Sequence, residues 1–352
     1  MTRTPSVSQR SGYLRPANTI TKKPGAAPAA GVSSRLPGPD ESQYRIDPSL
    51  MVLPFDDHMV HRGHGIFDTA GLVNGKLYDL EAHLDRFLLS AERSKLRLPA
   101  SRAEMREIVL KTAAVSGKRD GSIRYWLSSG PGSLELTPAA GAAPGFFVMV
   151  FAGLTYPERW LTEGVRVMTT TYPIKAPIYA ITKATNYLPN VLMQMEAKEA
   201  GFDNGVFIDA DGHVGESSNM NVAFVTRDGV LAHPKFDHVL AGCTSLRLLE
   251  LAESLREQEL LKAIEVRDVT VAEARASREM LLMGSSVKVA SIVQWDDRKI
   301  GEGPFAFLRL ELLWTDKFKE VTDGRREDVL VALEVIVVFG KAAKRLGDVA
   351  RD

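Results

Sequence analysis

Ile181-Thr182-Lys183-Ala184-Thr185-Asn186-Tyr187-Leu188-Pro189-Asn190 is followed, thirty-three positions beyond its lysine, by Glu216 in Gly212-His213-Val214-Gly215-Glu216-Ser217-Ser218-Asn219-Met220-Asn221. A lysine beside Ile181, Tyr187 and Leu188 is open to desolvation, which lowers an amine's pKa and frees its nucleophilic neutral form. Taken alone, Lys183 reads as a solvated lysine at a strand end and Glu216 as a surface glutamate in a hairpin. Taken together, they fit a pyridoxal phosphate site. The amine would hold the cofactor as a Schiff base, and the carboxylate would keep a proton on the pyridine nitrogen.

The pattern on either side divides the chain. Leu53–Asp57 and Ile66–Val73 read as strands, with Asn74-Gly75 as a two-residue hairpin signal before Lys76-Leu77-Tyr78. Helices are expected over Glu81–Lys95, where Leu84, Phe87, Leu88 and Ala91 recur at helical spacing, and over Ala103–Val115. Strands follow at Ser122–Ser128 and Phe146–Phe151. A second unit opens with the alternating run Val165–Thr171 and continues through a helix Leu188–Ala200, strands Val206–Ile208 and Asn221–Val225, and a helix Thr244–Gln258. The organisation expected is a tail over 1–44, a small domain over 45–155, a large domain over 160–314 and an extension over 315–352, with the joint near 152–164.

Composition excludes several classes of function. The 352 residues carry 44 basic and 44 acidic side chains, with 45% hydrophobic and 25% charged residues, as expected of a globular protein with a large core. Nothing marks a nucleic-acid surface. The longest nearly apolar run, Val329–Phe339, is too short for a bilayer-spanning helix and contains Glu334, so no membrane segment is expected. The single cysteine, Cys243, rules out an internal disulfide and points to a reducing compartment. His58, His61 and His64 lie close together, but on a strand the last two face opposite ways, so no metal is expected. Residues 1–39 hold six lysines and arginines and no acidic residue. They read as an organellar transit peptide, or as a disordered tail that would leave the chain in the cytoplasm.

Three further segments offer donors for a phosphate. Gly242-Cys243-Thr244 opens a helix whose first N–H groups lack partners, and Thr244 reads equally well as a simple cap. Gly284-Ser285-Ser286 is a second group of small donors, and Arg86 is a candidate clamp.

In this order the segments resemble the fold-type IV pyridoxal phosphate enzymes, the family of branched-chain and D-amino-acid aminotransferases, over about residues 50–312. His61-Arg62-Gly63-His64-Gly65-Ile66-Phe67-Asp68 looks like the family's opening motif and His83-Leu84-Asp85-Arg86 like its phosphate-binding segment. Lys183 falls at the Schiff-base lysine, Glu216 at the pyridine carboxylate, and Leu240–Thr244 and Gly284-Ser285 at the phosphate contacts. Two departures stand out: Ser245 where many members have arginine, and Lys288 where several have glutamate.

The resemblance implies a mixed α+β and α/β fold with a small N-terminal domain and a larger C-terminal domain built on a barrel-like sheet. It also implies a homodimer acting on an amino acid and a 2-oxo acid, and suits a chloroplast destination for the basic residues 1–39. Lys183 would be catalytic, and Arg86, Tyr187, Glu216, Cys243, Thr244 and Ser285 would hold the cofactor with it. Arg62, Phe67, Arg124 and Ser286 would meet the substrate, the two arginines as carboxylate ligands. The expected reaction is transamination, with acidic or small D-amino acids first among substrates. Aminodeoxychorismate lysis is the alternative, followed by L-branched-chain transamination or a cofactor-binding protein that has lost turnover, since one fold hosts several chemistries.

Overall fold

The computed structural model describes residues 52–301 together with the two-residue strand Glu327–Asp328. The expected tail over 1–44, the run Val329–Phe339 and most of the extension over 315–352 lie outside the described residues. Among the described residues no helix is long and apolar enough to cross a membrane.

The first half runs α1 (His58–Arg62), β1 (Gly65–Val73), β2 (Lys76–Leu77), α2 (Leu80–Arg93), α3 (Arg102–Val115), β3 (Gly121–Ser128) and β4 (Gly145–Phe151). The segment expected as a strand at Leu53–Asp57 is a turn leading into a helix instead. Asp57 accepts the Met59 N–H at 2.9 Å as N-cap, and Gly63, at φ 65°, closes the single turn of α1. Local capping overrides the short apolar pattern. The three histidines are therefore gathered rather than splayed, with His58 Nδ1 3.0 Å from His64 Nδ1. The Asn74-Gly75 hairpin forms as read, with both residues at positive φ. Helix α3 opens on a capping box between Ser101 and Glu104. Its apolar face, with that of α2, packs on the sheet through Leu84, Phe87, Met105, Val109, Ile123, Tyr125 and Leu127.

Residues 152–158 carry the chain to the second half. Its elements are α4 (Arg159–Thr162), β5 (Val165–Thr169), α5 (Pro177–Ala180), α6 (Leu188–Glu199), β6 (Asn204–Ile208), β7 (Val214–Ser217), β8 (Asn221–Val225), β9 (Val230–His233), α7 (Cys243–Glu257), β10 (Ala263–Val266), α8 (Val271–Ala276), β11 (Glu279–Gly284), β12 (Lys288–Trp295) and β13 (Arg298–Lys299). With β14 (Glu327–Asp328), two sheets result. One has the order β14-β2-β1-β3-β4 and the other β10-β9-β8-β11-β12-β5-β6-β7, with β13 alongside β12. The larger sheet curls on itself. A turn at residues 218–220 brings β7 back beside β8, and Ser217 N–H donates to Met220 O at 2.8 Å. Strands β8 and β11 are buried on both faces: Val222, Phe224, Met280 and Leu282 enter one core, while Ala223, Val225, Leu281 and Met283 meet α7 in another.

Candidate active site

Lys183 sits in an irregular stretch between α5 and α6, and β1 holds it there. Phe67 N–H donates to Lys183 O at 3.0 Å, Lys183 N–H donates to Ser90 Oγ at 3.2 Å, and Ile66 bridges to Ala184. The stretch is therefore seated on the smaller sheet, although it belongs to the second half of the chain. Lys183 Nζ donates to the Tyr187 hydroxyl at 3.2 Å and stands 4.8 Å from the centre of the Phe67 ring. Burial, followed by the charge of Arg86, lowers the amine to about 8, while Asp68 and Glu216 pull the other way.

Glu216 lies within β7, whose residues 214–217 pair with β6. Its side chain is buried, and burial raises its pKa; the Leu240 N–H donates to Oε2 at 3.3 Å, and Lys175 and Lys183 favour the charged form.

Gly242 is the N-cap of α7, so Cys243 and Thr244 present the first turn of a fifteen-residue helix. A Cβ at Gly242 would overlap Asn221 Oδ1, so only glycine lets the turn come this close. Asn221 braces the turn further, donating to Leu240 O at 2.9 Å and accepting from Ser245 Oγ at 3.0 Å. Ser245 thus serves the packing of the turn and is fully buried.

Arg86 is locked by Asp68, donating from Nε to Oδ2 at 2.8 Å and from Nη2 to Oδ1 at 2.7 Å, and also donates to Ala241 O at 3.2 Å. His83 Nδ1 is 2.8 Å from the same carboxylate. Burial alone would raise Asp68, but Arg86 and His83 outweigh it and hold the carboxyl well below its ordinary range. Burial alone would lower His83, but Cys243 and Asp68 outweigh it and raise the imidazole to about 9.

Lys183, Glu216, Arg86 and the Gly242–Thr244 turn line one cavity of about 310 Å³, toward the small end of ligand sites, which span roughly 300–1,000 Å³. Of the residues singled out from sequence, Phe67, Arg86, Arg124, Lys183, Tyr187, Glu216, Cys243, Thr244, Ser285 and Ser286 all line it. Arg62 does not. It ends α1, where the Gly63 turn aims its guanidinium at the loop after β3, donating to Leu134 O at 2.6 Å and Glu135 O at 3.3 Å. Asn221, Thr69, Tyr156 and Met283 line the cavity without having been singled out, and Asp68 stands behind it. Asn221 and Asp68 carried a signal, the first by its place in the quoted Asn219-Met220-Asn221 run and the second by closing the quoted His61–Asp68 motif.

Arg124 reaches the cavity from β3. Its Nε donates to Thr69 Oγ1 at 2.8 Å, and its guanidinium lies over the rings of Phe67 (5.3 Å), Phe151 (5.5 Å) and Trp126 (6.0 Å). Among the described residues it has no carboxylate partner in ion-pair contact.

Residues 65–295 match the amino-transferase class IV family. A D-amino-acid transaminase, chloroplastic, of Arabidopsis thaliana is 48% identical over 274 residues, covering 77% of this chain and 73% of that protein. The solved branched-chain amino acid aminotransferase of T.th. with pyridoxamine 5'-phosphate superposes with a TM-score of 0.73 at 23% identity, covering 81% of this chain and 95% of that one. The 4-amino-4-deoxychorismate lyase of Pseudomonas aeruginosa superposes at 0.66 with 26% identity, covering 75% and 95%.

Pyridoxal phosphate is the cofactor of this fold type, and the residues present suit it. One cavity offers an amine of lowered pKa, a buried carboxylate and a glycine-cleared helix N-terminus with hydroxyl donors at Thr244 and Ser285. Matched over more than half of its length and folded as its relatives are, the chain belongs to the class IV aminotransferases, enzymes dependent on pyridoxal phosphate.

Proposed function

We propose that the enzyme transaminates D-amino acids, with Lys183 as proton carrier, Glu216 as partner of the cofactor's ring nitrogen and Arg124 as ligand of the substrate carboxylate. The observation that carries this assignment is Lys183, an amine lowered to about 8 and facing Glu216 in one cavity. The Arabidopsis relative's name supports the D-configuration.

When bound, the cofactor supplies an electron sink for the bonds of the substrate's α-carbon. Lys183 Nζ takes the proton from that carbon and returns it on the cofactor side, acting as base and then as acid. The Tyr187 hydroxyl, 3.2 Å away, fixes where Nζ waits. Glu216, held by the Leu240 N–H, keeps its negative charge where the ring nitrogen is to remain protonated. Thr244 and Ser285 would hold the phosphate, together with Arg86 and Cys243, which line the same cavity. Phe67 and Ser286 border the substrate. Arg124, in its aromatic surround, takes a carboxylate in the paired geometry a guanidinium favours. With Arg62 outside the cavity, Arg124 is the substrate-side cation among the cavity-lining residues, which favours small D-amino acids over acidic ones.

The test is a half-reaction. D-alanine added to the purified enzyme should bleach the cofactor's visible absorbance, and a 2-oxo acid should restore it. L-alanine should do neither. Bleaching by the L-form alone would overturn the configuration, and pyruvate released from aminodeoxychorismate without bleaching would favour the lyase. Arg124→Leu should raise the KM for D-alanine about 10- to 100-fold, the range of a charge-assisted bond, with a smaller change in kcat. An unchanged KM would remove Arg124 from this role.

We also infer a homodimer. Ile178, Tyr179, Leu188, Val191 and Met195 are about half exposed or more and follow one another on α5 and one face of α6. Sedimentation at the monomer mass would reject it. A plastid destination is supported by the basic residues 1–39 and by the relative's name. A fluorescent fusion of residues 1–44 that stayed in the cytosol would reject that.

A further inference from the structure

The hairpin between β11 and β12 pairs Gly284 with Lys288 across the three residues Ser285, Ser286 and Val287. Three-residue hairpins commonly close on a left-handed residue, a place glycine fills without strain. Here it is Lys288, at φ 63°. A side chain persists in such a backbone conformation when its surroundings offset the strain.

The surroundings do so with a charge. Lys288 Nζ donates to Ser285 O at 2.7 Å and lies 4.7 Å from the centre of the Tyr78 ring. Burial lowers its pKa to about 8, while Asp79, in the same segment as Tyr78, favours the ammonium form, which still predominates at neutral pH. At Gly71 on β1 the added Cβ would lie 3.4 Å from this nitrogen, so β1 leaves just enough room for it. The ammonium thus reaches from the larger sheet to the β1–β2 hairpin of the smaller one.

A peptide group is planar and trans, so its C=O and N–H point in opposite directions. Turning the Ser285 carbonyl onto the ammonium directs the Ser286 N–H away from it. Ser285 and Ser286 both line the cavity.

We propose that Lys288 is a positioning residue for phosphate: by holding the Ser285 carbonyl it aims the Ser286 N–H and the Ser285 hydroxyl at the phosphate end of the cavity. The proposal rests on the reading that Thr244 and Ser285 mark that end. Lys288 touches neither substrate nor cofactor. It acts through the turn, and its charge draws the phosphate as well.

Lys288→Gly is the cleanest test, because glycine suits the backbone while removing the ammonium. The dissociation constant of the apoenzyme for pyridoxal phosphate should rise about tenfold, the worth of one charge-assisted bond, while that for unphosphorylated pyridoxal stays within twofold. The melting temperature of the apoenzyme should hold or rise, since strain is relieved. Lys288→Arg should recover most of the loss. Lys288→Met, measured in parallel, guards against a glycine variant that fails to fold.

Unchanged affinity for pyridoxal phosphate in the glycine and methionine variants would overturn the proposal. Equal losses for both cofactor forms would also overturn it, by assigning Lys288 to cavity shape. A wild-type enzyme that did not prefer the phosphorylated form would instead reject the underlying phosphate reading, which separates the two failures.

Discussion

Lys183→Ala is expected to abolish transamination, lowering kcat by at least about 10⁴-fold, the upper range for a lost general acid–base. The variant should still fold, because the residues that seat the stretch use its backbone: Phe67 N–H donates to Lys183 O and Lys183 N–H to Ser90 Oγ. Cofactor should still enter the cavity but be lost on gel filtration. Near-normal turnover would refute the assignment. The same amine sets a pH signature for the wild-type apoenzyme. Only the neutral form attacks a carbonyl, and with a value of about 8 roughly one amine in ten is neutral at pH 7. The rate of cofactor capture should therefore climb with pH and level off above about 8. A rate that kept climbing toward 10 would show an amine that is not desolvated.

The second large effect is structural. Asp68→Asn removes the carboxylate that faces both Arg86 and His83 behind the cavity. Removing one partner of a buried pair strands the other, at about 3–5 kcal/mol. Urea unfolding should show that loss, and cofactor affinity should fall with it as Arg86 loses its bidentate hold. A loss below about 1 kcal/mol would mean that the cluster is not a network.

The pH dependence follows from the signs of the shifts. His83 is raised from 6.5 to about 9, so its stabilisation is complete below 6.5 and is lost as pH rises through 9. Asp68 is depressed, so its contribution is complete above its ordinary 3.8 and is lost only in acid. Wild-type stability should therefore fall between pH 6.5 and 9 by more than that of Asp68→Asn. Parallel curves would reject the coupling.

Why Asp68 was not singled out bears on how far the sequence could be read. It lies in the middle of β1, among Ile66, Ala70 and Leu72, and its partners are fifteen and eighteen positions away on α2. No local pattern announces such a contact. Lys183, Glu216 and the Gly242–Thr244 turn were legible because each depends on chemistry carried in a short segment. The amphipathic helices and half-exposed strands were legible for a similar reason, since burial on one side leaves a period. Strands β8 and β11 are buried on both faces and leave no period, so β8 was legible only as a short apolar run beside a turn, while β11 and the two-residue β13 were not. Arg62, expected at the substrate, lies outside the cavity because the Gly63 turn, rather than the spacing to the next motif, decides where its side chain points.

The parallel neighbours of β5 have a consequence for the order of biosynthesis. Val165 pairs with Ile292, so the middle of the larger sheet joins segments more than a hundred residues apart. While the ribosome is still short of Trp295, β5 has β6 on one side and a bare edge on the other. The turn of Ser285 and Ser286 emerges just ahead of the strand that closes this edge. The lysine and the carboxylate are thus made long before the phosphate end, and a nascent chain halted before residue 288 would expose an aggregation-prone edge while carrying most of an active site.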